Sequence, residues 1–459
     1  MIHRYQKKGL NFVLDVNSGA VHLLDDISYA VSGLIDENMT EKCPESVVEA
    51  LPQYAADDVR EAYGELYELK KAGQLFAQDD YIDVSRYIPV NAPVKALCLH
   101  VAHDCNLRCK YCFASTGDFG QGRKIMPPEV AKKAIDFVIA RSGKRRNIEV
   151  DFFGGEPLMA WDTVTQTVDY ARSLEEKYNK KFRFTITTNG LLLDEDKRKY
   201  INENMDNCVL SLDGRREVND EFRKTVAGTG SYDTIVPKFK ALVDERDPNL
   251  DYYARGTFTS HNLDFAEDVL SIADAGFDRL SVEPVTADPG CGYDLTEDDL
   301  PKIEAEYDRL TDIMLERKKE GKPFTFFHFM VDLDQGPCVV KRLRGCGAGY
   351  EYVAVTPDGD IYPCHQFVGK DEFKQGSVLD QSFNMDIAQK FAGMNIYSRP
   401  KCQKCWAKFY CSGGCSAANY NMNHDMNDSY DLGCEMERKR LECAIYLKAM
   451  DKICANQSK

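Results

Sequence analysis

Six short apolar runs punctuate the middle of the chain: KALCLHV (95–101), IEVDFF (148–153), FRFTITT (182–188), CVLSL (208–212), ARGTFT (254–259) and RLSVEPV (279–285). Each is rich in apolar, aromatic or β-branched residues and bounded by turn-forming ones, as strands are. Between them lie stretches with apolar positions at helical spacing. One spans 127–142, with prolines in its first turn, and another spans 163–178. Strands alternating with helices predict an α/β fold. Its six parallel strands make a partial (β/α)6 barrel over residues 94–290.

The flanks read differently. In 1–85, NFVLDV (11–16) and AVHLL (20–24) alternate about a turn at Asn17–Ser18–Gly19. Helical patterns follow at 27–38, 43–51 and 57–72, the last ending at Gly73. Strands followed by three helices predict a small winged-helix-like unit. Beyond the barrel, 291–335 is a bridging segment with a charged helix at 295–320. Residues 336–440 are rich in cysteine, and 441–459 read as a C-terminal helix.

Composition narrows the function classes. The 459 residues carry a formal charge of −16, which disfavours nucleic acid and anionic membranes as partners. No 18-residue apolar run predicts a membrane span, and the start MIHRYQKKGLNF lacks the features of a signal peptide. A cytoplasmic protein is expected. In a reducing compartment its 17 cysteines are better read as metal ligands than as disulfides.

The cysteines fall into two groups. The run CNLRCKYC sets Cys105, Cys109 and Cys112 at C-x3-C-x2-C just after the first barrel strand. Three thiolates so placed take three corners of a 4Fe–4S cube and leave one iron open. The other reading is a zinc knuckle or a set of buried free thiols, although zinc sites favour C-x2-C pairs joined by a second pair or by histidines. Loops that follow barrel strands are where parallel α/β folds carry their chemistry. The second strand ends in Gly154–Gly155–Glu156–Pro157, a backbone open to close approach followed by a carboxylate that can accept from an ammonium. TTNG (187–190) and SLDG (211–214) end the next two strands. Arg223 offers a fork suited to a carboxylate; a surface ion pair is the plainer reading.

The second group opens with Cys346 in the pattern C-x12-G-x4-C, with Gly359 and Cys364. It continues as C-x2-C-x5-C-x3-C at Cys402, Cys405, Cys411 and Cys415, and after eighteen more residues comes Cys434. A pair of zinc ribbons is the alternative to iron–sulfur clusters here. Cys338, in QGPCVVKRLRGC, lies seven intervening residues before Cys346. Cys43, Cys98, Cys208, Cys291, Cys443 and Cys454 fit no ligand pattern and read as small core or surface residues.

The loop HDCNLRCKYCFAS, Tyr111 included, resembles the cluster loop of radical S-adenosylmethionine (SAM) enzymes. The spacing from Cys346 to Cys434 resembles the SPASM pattern. The resemblance implies that the methionine end of SAM chelates the open iron at Cys105, Cys109 and Cys112, and that reductive cleavage yields a 5′-deoxyadenosyl radical. It assigns Gly154, Gly155 and Glu156 to SAM's amino group, Arg223 to its carboxylate and Ser211 to its polar groups. Glu283 falls to ribose or adenine, and Asp213 to the substrate side. It further implies a first auxiliary 4Fe–4S cluster on Cys346, Cys364 and Cys415. Cys338 is the natural fourth ligand, either constant or giving way to a substrate thiolate. A second auxiliary cluster falls on Cys402, Cys405, Cys411 and Cys434, three clusters in all. His365 is expected merely to line the first auxiliary site.

The unit at 1–85 resembles the RiPP recognition element, which clasps the leader peptides of ribosomally made natural products by strand addition. Taken whole, the chain resembles the SPASM peptide maturases, and among them the SCIFF maturases that make ranthipeptides. The likeness rests on GLNFVLDVNSGAVHLLDD, the thiol loop, and CGAGYEYVAVTPDGDIYPCHQF. This implies thioether formation in a cysteine-rich precursor peptide, with a reductant such as flavodoxin or ferredoxin. Two alternatives stay open. One is a radical SAM enzyme of another outcome, a carbon–carbon cross-linker or a sulfatase-activating dehydrogenase. The other is a non-enzymatic electron-transfer or zinc-structured binding protein.

Overall fold

The computed structural model describes residues 1–83, 92–333 and 339–457. At the N-terminus, β1 (Ile2–Lys7), β2 (Leu10–Asp15) and β3 (Val21–Leu24) form an antiparallel sheet in that order. Helices Asp26–Ser32, Glu45–Glu49 and Ala56–Lys71 follow. Period-two alternation gives β2 two apolar faces. Val13 packs with Val31, Val59, Tyr63 and Leu66 in the unit's own core. Phe12 and Leu14 turn the other way, with Tyr5, onto Ile445 and Tyr446 of the long helix Asp431–Gln457. The hydrophobic pattern did not predict β1. Its inward positions include His3 and Lys7, whose partners Glu442 and Asp308 come from far along the chain.

The core begins with β4 (Ala96–His103), every residue of which is buried, as expected for a strand covered on both faces. Short β5 (Leu107–Cys109) and β6 (Lys124–Ile125) follow it. The chain then forms β7 (Asn147–Gly154), β8 (Lys181–Thr188), β9 (Asn207–Ser211), β10 (Arg223–Thr225), β11 (Asp251–Phe258), β12 (Arg279–Pro284) and β13 (Thr325–Phe326). Six of these run parallel in the order β4-β7-β8-β9-β11-β12. They are the six strands read from the apolar runs. Ile148, Val150 and Phe152 of β7 face the helices and are fully buried. A fully buried side chain of this size contributes about 1.5–3 kcal/mol relative to exposure. Between them Glu149, Asp151 and Phe153 share the opposite face, the one that carries the site.

The sheet does not stop at the sixth strand. β13 adds parallel to β12 at one edge. At the other edge β14 (Tyr352–Val355) pairs parallel with β4, followed by antiparallel β15 (Asp360–Tyr362) and β16 (Gly376–Ser377). The cysteine-rich region is thus continuous with the core through one sheet. No helix among the described residues is long and apolar enough to cross a membrane.

Candidate functional site

Strand ends assemble the site. β4 stops two residues before Cys105, and β5 then pairs antiparallel with β10, which sets Arg223 opposite Cys109. The end of β7 is laced to the same loop. Gly155 N donates to Ala102 O at 2.7 Å, and Glu156 N donates to Asp104 O at 2.9 Å. A Cβ on Gly154 would sit 2.2 Å from Ala102 O, and one on Gly155 2.1 Å from Asp104 O. These glycines therefore let the strand end close onto the thiol loop, besides lining the space beside it.

Cys105, Cys109 and Cys112 line one cavity of about 250 Å³. Tyr111, Gly154, Gly155, Glu156, Ser211, Arg223 and Glu283 line it as well. The thiol loop and the barrel residues assigned to SAM thus come to one place, while Gly190, Leu212 and Gly214 of the TTNG and SLDG motifs do not line it.

Glu156 is 1% exposed. Its Oε1 accepts from Leu158 N (3.0 Å) and Thr188 Oγ1 (2.8 Å), and its Oε2 from Asn189 N (2.8 Å). Burial pushes its pKa up while these donors pull it back. A carboxylate offers about four acceptor sites, so roughly one is left for a ligand. Asp213 is buried, which pushes its pKa up to about 6 against the pull of Arg223 and Tyr111. The Tyr111 hydroxyl donates to Asp213 Oδ2 at 2.5 Å and accepts from Arg223 Nη1 at 3.0 Å. Arg223 Nε is buried without a partner. An unsatisfied buried donor costs about 1–3 kcal/mol, and an anionic ligand would remove that penalty.

Among the cavity residues that the sequence reading did not assign to this site are Arg255 and His365. Arg255 lines the cavity and donates to Glu283 twice, Nη2 to Oε2 at 2.6 Å and Nε to Oε1 at 3.3 Å. Burial raises the Glu283 pKa, but Arg255 outweighs it and holds the group below its ordinary value. The carboxylate assigned to ribose or adenine thus already has an arginine partner. The available signal was the period-two pattern of β11, in which Arg255 shares the inner face with Tyr253 and Thr257. His365 enters this same core cavity from the cysteine-rich region, against Phe113 and Phe153 with ring centroids 5.5 and 5.0 Å away. It was expected only at the first auxiliary site.

The thiols suit a metal core. Burial, then Glu156 and the neighbouring thiols, push the Cys105 pKa up to about 12, and burial takes Cys109 to about 11. Thiols bind metal as thiolates and release protons in doing so. Arg223 pulls Cys109 and Cys112 back only in part, and a soft cationic core would supply the rest of the positive charge that the thiolates need.

In the C-terminal region Cys402, Cys405, Cys411 and Cys434 line a second cavity. Burial, Glu437 and the other three thiols push Cys411 up to about 12. Cys346, Cys364 and Cys415 form another neighbourhood: burial raises the Cys364 pKa, and Cys415 and Cys346 add to it. Cys338 lies outside the described residues. Arg399, 3% exposed, stands between the two thiol sets. It donates through Nη1 to Gly413 O (2.7 Å) and through Nη2 to Ser416 Oγ (2.9 Å). Among the described residues no three Cys, His, Asp or Glu side chains converge as a single ion demands. An iron–sulfur cube instead takes each thiolate at a different corner.

Comparison with known proteins identifies the two domains. The radical SAM superfamily profile matches residues 99–251, and that of the SPASM iron-sulfur cluster-binding domain matches 346–406. A cysteine-type anaerobic sulfatase-maturating enzyme of Clostridium novyi is 25% identical over 72% of this chain and 90% of its own length. Among solved structures, native anSMEcpe with bound AdoMet matches 78% of this chain and 99% of its own, at 21% identity and TM-score 0.63. Streptococcus suis SuiB bound to S-adenosylmethionine matches 94% of this chain and 98% of its own, at 17% identity and TM-score 0.53. SuiB bound to precursor peptide SuiA matches at TM-score 0.50. The chain carries a radical SAM α/β domain and a SPASM domain, and it is related to maturases built the same way.

Proposed function

We propose that this protein is a radical SAM maturase that forms intramolecular thioether cross-links in a ribosomally made, cysteine-rich precursor peptide. Each link joins a cysteine sulfur to a carbon of an acceptor residue. The observation that carries the reading is the three-thiol cavity, where Cys105, Cys109 and Cys112 meet Glu156 and the unpaired Nε of Arg223. A 4Fe–4S cluster on these thiols, with SAM at its open iron and an electron from flavodoxin or ferredoxin, supplies 5′-deoxyadenosyl radical chemistry. Glu156, with Gly154 and Gly155, receives SAM's ammonium group. Arg223 pairs its carboxylate, held at the right angle by Tyr111, and Ser211 and Glu283 meet its other polar groups. Asp213 and Arg255 face the peptide.

Cys346, Cys364 and Cys415 hold the first auxiliary cluster, with Cys338 as a constant or exchangeable fourth ligand. Cys402, Cys405, Cys411 and Cys434 hold the second. The N-terminal unit clasps the leader by strand addition at β3, an edge of its sheet. The relation to SuiB, which has been solved with its precursor peptide, supports a peptide substrate. Seventeen cysteines suit the reducing cytoplasm. Each link makes one C–S bond: a hydrogen atom would leave carbon for the deoxyadenosyl radical, a proton would leave sulfur, and the remaining electron would pass to the proposed auxiliary clusters, so the peptide loses two hydrogens.

A second reading is sulfatase-type dehydrogenation, favoured by the match to 90% of the Clostridium novyi enzyme. That reaction and carbon–carbon cross-linking also remove two hydrogens. Alkylation and fragmentation of the product separate them: a thioether blocks its cysteine and ties it to a second residue, dehydrogenation of a cysteine gives a thioaldehyde that water converts to an aldehyde with loss of the sulfur, and a carbon–carbon linker leaves all thiols free.

A further inference from the structure

The four-thiol cavity is walled by cations as well as by cysteines. Lys401, Lys408 and Arg438 line it beside Cys402, Cys405, Cys411 and Cys434. Lys401 pairs with Asp428 and Asp431 at 3.0 and 2.8 Å, and Arg438 pairs with Glu435, all within the same region. Lys408 differs from both. Its side chain is only 4% exposed, and its counter-ion is Asp79, 2.7 Å away and 329 residues earlier in the chain.

Asp79 lies in the tail of the N-terminal unit, after its last helix Ala56–Lys71. It also accepts from the Tyr397 hydroxyl and from Tyr81 N. Tyr81 packs edge-on against Phe409, ring centroids 5.2 Å apart. Lys408 and Phe409 open the short helix Lys408–Cys411, which ends on one of the four thiols. A second tie lies close by: the ring of His3, in β1, stacks on Trp406 at 3.8 Å, next to Cys405. The stretch between two of the four cysteines is therefore gripped from the N-terminal side at two points.

An iron–sulfur cluster's potential follows its net charge, its hydrogen bonds and its solvent exposure. A buried ammonium in the wall of the site stabilises the reduced, more negative state, and in a poorly screened interior its effect persists. We propose that Lys408 sets the reduction potential of the cluster held by Cys402, Cys405, Cys411 and Cys434. Asp79 offsets it from outside the cysteine-rich region, which makes the tail of the N-terminal unit part of that redox site. The inference rests on the ligation proposed above.

The test is an EPR-monitored potentiometric titration of the full-length, anaerobically reconstituted protein, comparing wild type, Lys408→Gln, Asp79→Asn and the double variant. Lys408→Gln is expected to lower the reduced-to-oxidised ratio at a fixed potential about tenfold, a shift of ~59 mV to the negative for one electron. Asp79→Asn is expected to shift it the opposite way and by less, since Asp79 is more exposed. The double variant falls between them. Asp79→Asn keeps the test open if Lys408→Gln does not load iron. Unmoved potentials, or shifts of the same sign in both single variants at wild-type iron and sulfide content, overturn the assignment. If wild type binds no more iron than Cys402→Ser, the ligation itself is wrong and the tuning falls with it.

Discussion

Two thiol-lined cavities in this chain are built on opposite plans. The cavity at the ends of the parallel strands has three cysteines, and beside them stand polar groups not fully used, Glu156 and Arg223. The C-terminal cavity has four cysteines, and its cations Lys401, Lys408 and Arg438 are all paired to carboxylates. The first withholds a ligand and keeps donors ready for one that arrives. On the ligation proposed above, the second completes its set from the protein. Metal sites that do chemistry keep a position open and sites that do not are closed, a rule drawn from zinc that carries over to iron–sulfur sites.

The most forceful way to break the contrast is to remove thiols from each side. Alanine at Cys105, Cys109 or Cys112 is expected to abolish SAM cleavage, followed as 5′-deoxyadenosine by liquid chromatography. Cleavage surviving in the triple variant would mean that the open site lies elsewhere. Cys402→Ala, by contrast, is expected to cost about four irons per chain while uncoupled SAM cleavage persists. Iron analysis and deoxyadenosine yield check this together, and loss of both activities in equal measure would erase the distinction between the sites.

Smaller changes sharpen it. Arg223→Met removes the unpaired donor from the open cavity. SAM binding should weaken by about 2 kcal/mol, roughly thirtyfold in Kd, as measured by calorimetry on the reconstituted protein. Unchanged affinity would leave the orphaned Nε without a ligand to explain it. Leu23→Asp, on the exposed edge strand β3, should weaken precursor binding several-fold, about 1 kcal/mol, and leave uncoupled SAM cleavage as it was. Full affinity in that variant would argue against strand addition at this edge.

The mildest effect concerns pH. Burial raises the Asp308 pKa, but hydrogen bonds from Lys439 and Lys7 outweigh it and hold the group below its ordinary value. Its contribution to seating the N-terminal unit is therefore complete above the ordinary aspartate range, about pH 4, and is lost as pH falls through the lowered value. Asp308→Asn should flatten the acid side of a plot of Tm against pH. An acid limb identical to wild type would remove Asp308 from that seat.

How much was legible in advance follows from how local each feature is. The thiol loop was legible because a cluster corner must be wrapped by neighbours in sequence, and Gly154–Gly155–Glu156 because a strand end and its turn lie together. The six strands showed as apolar runs. What stayed hidden joins distant segments. Arg255 and Glu283 stand on adjacent strands 28 residues apart, and neither position marks itself as half of a pair. His365 reaches the core cavity only because β14 and β15 extend the core sheet. β1 lacks a clean alternation because its inward polar residues find partners only in the folded chain, as Lys7 finds Asp308. The tie from Asp79 to Lys408 spans 329 residues of sequence.

The most direct test of the central claim is anaerobic. Reconstituted, reduced protein is incubated with SAM and a cysteine-rich precursor, and the product is alkylated and read by tandem mass spectrometry. The account predicts deoxyadenosine together with a loss of ~2 Da per cross-link, one hydrogen each from carbon and sulfur, and a matching cysteine closed to alkylation. A loss of the same mass with every thiol free would replace thioether formation with carbon–carbon linkage, and a cysteine converted to an aldehyde with loss of its sulfur would replace it with dehydrogenation. No deoxyadenosine from fully loaded, demonstrably reduced protein would contradict the account.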